Sequence, residues 1–221
     1  MQIPEIALSR RFDFSIPEAQ ALSDLTGISQ DLKAVIRICD RVMRIAPELQ
    51  NLMQREPLKW IEERSAVSDL VEAAVVRYGR TIGTGVRQGI PREWLEELPP
   101  GMKIAHDHFK ALRDRSIAHS VNPLEDNQVW VWVRGEGVAA SVTHISVDPG
   151  RFMFGDDGAK ELRDLASLLL DRTDQQIREE ERRVLKIAHA KPVAEITARS
   201  QDELPIPALK VAAAIRQKFN G

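Results

Sequence analysis

Apolar residues along the chain recur mostly at steps of three and four, the repeat of a helix with one buried stripe. From Ser29 to about Ile45 the stripe is Leu32, Val35, Ile36, Cys39, Val42 and Met43, and Pro47 is expected to kink or end that helix. A second helix is predicted to start at Pro57, which suits a first helical position, and to run through Trp60, Ile61, Val67, Leu70, Val71, Ala74 and Val75 to about Tyr78. Three glycines between Thr81 and Pro91 break the period and predict a loop. Pro91 to Leu98 reads as a short helix stopped by Pro99, Pro100 and Gly101. Another helix is expected from Met102 to about Ile117, with Ile104, Phe109, Leu112 and Ser116 near one face.

Between Asn127 and Val147 the period changes to two. Val129, Val131 and Val133 alternate with Trp130, Trp132 and Arg134, and Gly135-Glu136-Gly137 turns the chain, which predicts a β-hairpin. After Asp148-Pro149-Gly150 a long helix is expected from about Asp156 to Ala190, apolar early and charged between Arg178 and Arg183. Prolines break the tail beyond Pro192, and Ala208 to Phe219 forms a short amphipathic segment. The expected fold is mainly α: an antiparallel helical bundle with an inserted β-hairpin and a long C-terminal helix. Residues 1–190 are read as a single helical domain and 191–221 as a helical appendage.

Composition narrows the function classes. Among 221 residues, 31 Lys and Arg stand against 33 Asp and Glu for a formal charge of −2, which excludes a polycation that grips nucleic acid by bulk charge. One cysteine, Cys39, excludes a disulfide framework and a multi-cysteine zinc site, and fits a reducing compartment. No apolar run is long enough for a membrane span, and the first eleven residues lack the pattern of a signal peptide, so a cytoplasmic protein is expected.

Candidate chemistry concentrates in Arg113-Asp114-Arg115-Ser116-Ile117-Ala118-His119. Arginine is a permanent planar cation suited to phosphate, and histidine exchanges protons near neutrality, so the two together can serve phosphoryl transfer. On an unbroken helix Arg113 and His119 would lie about 120° apart around the axis, whereas Arg115 and His119 would share a face. Either the helix unwinds before His119 or a second copy completes the site. A plainer reading is a salt-bridged helix C-terminus whose cations complement the helix dipole.

The segment resembles the signature of HEPN domains: an arginine, a polar residue, four variable residues and a histidine at the end of a bundle helix. Arg113, Asp114 and His119 match in turn, and the wording from Leu112 to Ser120 is similar to the abortive-infection and toxin branches of that superfamily. The resemblance covers Ser29 to Pro123. It implies a metal-independent endoribonuclease acting as a homodimer, with His119 as general acid and base, Arg113 stabilising the charged transition state and Asp114 orienting. It also implies RNA as substrate, no cofactor, and an antitoxin or regulatory protein as a further partner.

Other residues bear on the same question. Arg77, Arg80, Arg87 and Arg92 fall in a stretch with no acidic residue, and either contact phosphates or pair with acids elsewhere in the bundle. Arg77, Arg80, Arg87, Arg115 and His108 are the candidate substrate-binding residues. His106 and His108 point to different sides of a helix, which argues against a metal pair and places both at the surface or behind the motif. The glycine spacing Gly83, Gly85, Gly89 matches neither a dinucleotide fingerprint nor a P-loop. Trp130 and Trp132 either pack over a helix or dimer interface, or stack on bases. A non-catalytic helical interaction module is the competing function.

Overall fold

A computed structural model describes residues 12–83, 87–114, 128–135, 141–148 and 156–198. A 3-10 turn, Pro17–Ala19, leads into α1 (Gln20–Arg55), which is followed by α2 (Pro57–Ile82), α3 (Arg92–Glu96) and α4 (Pro100–Leu112). Strands β1 (Gln128–Arg134) and β2 (Ser141–Asp148) come next, then α5 (Asp156–His189) and the short α6 (Val193–Thr197). The protein is mainly α with one inserted hairpin, as the hydrophobic pattern implies.

Contacts divide the described residues into two units. The larger comprises Gln30–Ile82 and Pro91–Leu170, and its core is made of one stripe from each long helix. Leu32, Val35, Cys39 and Val42 of α1, Val67, Val71, Val75 and Tyr78 of α2, Phe109 of α4, and Leu162, Leu165 and Leu169 of α5 are almost wholly removed from water. Spacings of three and four put each set on a single face, so helices pack stripe to stripe. Arg163 of α5 reaches Asp40 of α1, Nε to Oδ1 at 2.9 Å, outside this core. Burial pushes the Cys39 thiol up to about 12, with neighbouring Asp40 adding to the shift, so this sulfur is a packing group.

The smaller unit gathers the chain up to Ser29, Gly83–Ile90 and the part from Asp171 onward. Ser29 Oγ donates to Asp174 Oδ1 at 2.8 Å, and the Gln88 backbone N–H donates to Asp24 Oδ2 at 3.1 Å. A Cβ on Gly27 would lie 2.6 Å from Arg87 Nη1, so the guanidinium rests directly against the helix backbone at this glycine.

Several element boundaries differ from expectation. α1 does not end at Pro47 but runs through it to Arg55. Proline removes one backbone donor, and Leu49, buried just beyond, gives the following turn tertiary support. α4 begins at Pro100 rather than Met102, because Pro100 supplies a ready-set φ at a first helical position. Ile104 is not on the core face: it is 72% exposed, while Ala105, Phe109 and Leu112 are buried. Ile61, expected in the core stripe of α2, is also exposed. α6 falls within the predicted proline-broken tail, whereas the predicted segment Ala208 to Phe219 lies outside the described residues.

Candidate functional site around the end of helix α4

Two aromatic-rich faces lock α2 to α4. Tyr78 and Phe109 are fully buried, with ring centroids 6.4 Å apart at 74°, an edge-to-face pair. Beside them the Tyr78 hydroxyl and His106 Nδ1 share a hydrogen bond of 2.7 Å. His106 is therefore a buried core residue and not the surface or supporting group expected from the sequence. It stands three positions before Phe109 and seven before Arg113, a spacing that marks the inner face. Burial lowers the His106 pKa, reinforced by the charges of Lys103 and Lys110 and opposed by Asp107. Burial likewise raises the Tyr78 pKa, with Asp107 adding to it. A neutral imidazole and a neutral phenol hydrogen-bonded to each other satisfy two polar groups in an apolar setting.

One turn further on, α4 changes character. Regular hydrogen bonding includes the Arg113 N–H, which is shared between the carbonyls of Lys110 and Phe109, and Arg113 and Asp114 then enter a wider π-helical turn. The Arg113 side chain lies on α2 at Gly79. A Cβ at that glycine would sit 2.6 Å from Arg113 Cγ and 3.0 Å from its Cδ and Nε, so only glycine lets the arm lie this close. Glycine inside a helix costs about 1 kcal/mol relative to alanine, and this contact is the reason it is tolerated.

Arg113 Nη1 donates to Asp114 Oδ1 at 2.8 Å, and Lys110 Nζ stands 3.5 Å from Asp114 Oδ2. Burial acts to raise the Asp114 pKa, but the hydrogen bond and charge of Arg113 together with Lys110 outweigh it and hold the carboxyl below its ordinary value. Arg113 keeps 38% of its side chain exposed. The arrangement is an oriented guanidinium at a surface, fixed by a glycine seat on one side and a carboxylate on the other.

The remaining candidates divide. Arg115 and His119 lie outside the described residues, as does the expected helix end at Ile117. His108 is exposed on α4, its ring 5.2 Å from that of Phe109. Arg77 and Arg80 converge on Asp31 of α1, at 3.1 and 3.5 Å from its carboxylate oxygens. Asp31 is buried while both arginines are about half exposed, so they compensate an interior charge and their outer faces still meet solvent. Both arginines thus pair with an acid elsewhere in the bundle. Arg87 belongs to the smaller unit, against Gly27.

Among the described residues, no group of three or more His, Cys, Asp and Glu side chains is placed to hold a metal ion. No helix of those residues is long and apolar enough to cross a membrane. Comparisons with protein-family models, with curated proteins and with solved structures return no significant match to this chain.

Proposed function

We propose that the chain is a HEPN-type, metal-independent endoribonuclease, with the segment from Arg113 to His119 as its centre and a toxin or phage-defence effector as its biological class. The observation that supports this reading is the preparation of Arg113. A helix-end arginine seated on glycine, aimed by an adjacent carboxylate and still open to solvent is suited to a phosphate in a defined orientation. In the proposed reaction His119 takes the proton of an RNA 2′-hydroxyl, whose oxygen attacks the adjacent phosphorus. The 5′-oxygen leaves with a proton returned by the imidazolium, and a 2′,3′-cyclic phosphate remains. Arg113 offsets the extra charge on the phosphoryl oxygens, and Asp114 orients it. Two copies would present their motifs to one RNA across a two-fold axis.

A second reading is favoured by the same ion pair: Asp114 already neutralises Arg113, as in a non-catalytic helical module that binds a protein partner. Purified protein incubated with a mixed RNA pool in chelator separates the two. Cleavage by the wild type that falls at least 100-fold in both His119→Ala and Arg113→Ala is expected for the enzyme. Cleavage unchanged by either substitution, or none by any form, leaves the binding module.

A further inference from the structure

The β1–β2 hairpin has two unlike faces, and both are open to solvent. Register pairs Val129 with Val147, Val131 with Ile145 and Val133 with Val142, while Trp130 faces Ser146 and Trp132 faces His144. The shift of register between Trp132 and Val133 leaves Thr143 as an extra residue on β2. That bulge is what returns Val142 to the face of Ile145, three positions away, since strict alternation would put them on opposite sides. One face is therefore lined by aliphatic side chains. Val129, Val131, Val133, Val142 and Ile145 are each between 55% and 65% exposed.

A two-stranded ribbon with no layer on either side among the described residues is only marginally stable in water, and five β-branched side chains displayed together make a contiguous apolar patch. We infer that this aliphatic face is an interface between two copies of the chain, packed ribbon on ribbon across a two-fold axis. Three features select a second copy as the occupant. The five residues expose on the order of 500 Å2, so pairing two faces removes at most about 1,000 Å2 from water, at the lower bound for a specific interface. All five are uncharged, so the face meets its own copy with no like-charge penalty, whereas a charged partner finds nothing on them to pair with. Shape agrees as well, because two twisted ribbons pack as aligned layers about 10 Å apart. The opposite face then stays outward, with Trp132 stacked on His144 at 5.2 Å between ring centroids and its indole N–H donating to Ser146 Oγ. This inference does not depend on the ribonuclease reading.

Sedimentation equilibrium of the full chain between about 1 and 100 µM tests it, a range set by the modest area. Wild type is expected to approach twice its monomer mass of 24.9 kDa. Val131→Asp, which would bury an unpaired carboxylate, is expected to weaken association at least about 100-fold, and Trp130→Ser to leave it unchanged. A second readout does not rely on a charged ribbon folding. The thiol introduced by Val131→Cys should join two chains through a maleimide linker spanning about 10 Å, the thiol from Trp130→Cys should not, and buried Cys39 supplies no competing site. A monomeric wild type at 100 µM, association untouched by Val131→Asp, or equal cross-linking at both positions overturns the proposal.

Discussion

In the α2–α4 pair, Val71, Val75, Tyr78 and Phe109 are fully buried and the polar couple Tyr78 and His106 inside is hydrogen-bonded. Across β1–β2 an equally apolar set, three valines and two tryptophans on one strand, stands more than half exposed on both faces. The residue types differ little between the regions, and so does the clarity of their periodicity. What differs is the opposing layer. α2 and α4 each present a stripe to other helices, whereas the described hairpin has only its own partner strand. Periodicity specifies which side chains share a face, but the stability those side chains contribute depends on what covers the face.

Phe109→Ala opens a cavity between α2 and α4 and is expected to cost about 3–5 kcal/mol in chemical denaturation, without change at the hairpin. Tyr78→Phe keeps the packing and removes the hydroxyl, leaving buried His106 Nδ1 without its partner, for a loss of about 1–3 kcal/mol. An equal loss from any exposed valine of β1 in dilute protein would show that the hairpin is not the uncovered region described.

Protonation sharpens the same contrast. Burial holds the His106 pKa below its ordinary 6.5, so the unfolded chain binds that proton more readily than the folded one. The contribution is fully present above pH 6.5 and is lost as the pH falls through that value toward the folded pKa. Thermal melts between about pH 7.5 and pH 5 should show a decline that is shallower in His106→Asn. At the small end, Arg113→Ala is expected to change stability by less than about 1 kcal/mol, because its pair with Asp114 is partly solvated. That small cost makes Arg113→Ala a clean probe of RNA cleavage. Trp132→Ala removes an exposed stack and should cost no more than about 1 kcal/mol in the monomer.

Much of the fold was legible in the sequence. The stripes of α2 and α5 and the alternation of the hairpin predicted those elements to within a few residues, whereas α1 (Gln20–Arg55) extends well beyond the predicted Ser29–Ile45 at both ends. Ile104 shows the limit. Its neighbours Ala105 and His106 form the buried side together with Phe109 and Leu112, whereas Ile104, expected near one face with Phe109, Leu112 and Ser116, lies well around the helix from Phe109 and is exposed. Pro47 shows another: a missing hydrogen bond ends a helix only where nothing beyond it is buried, and Leu49 is.

Within the candidate site, Arg113 and Asp114 follow from the resemblance of their segment to the HEPN signature, but their glycine seat does not. Gly79 stands 34 positions earlier on another helix, and no local pattern connects them. Arg77 and Arg80 were readable as cations free of local acids. Asp31, the carboxylate they meet, comes from a distant part of the chain.

The helical class, the faces that each helix and strand form, and the arginine-to-histidine spacing of the candidate motif follow from the order of residues alone. These depend on the 3.6- and 2-residue repeats and on side-chain chemistry, which are local properties. Only the tertiary structure decided which of those faces is covered, that His106 is a buried partner of Tyr78, that Gly79 admits the Arg113 arm, and that Arg77 and Arg80 compensate Asp31. Each of these is a contact between distant segments, set when packing chooses among many chemically acceptable pairings the one that leaves fewest cavities and unpaired buried groups.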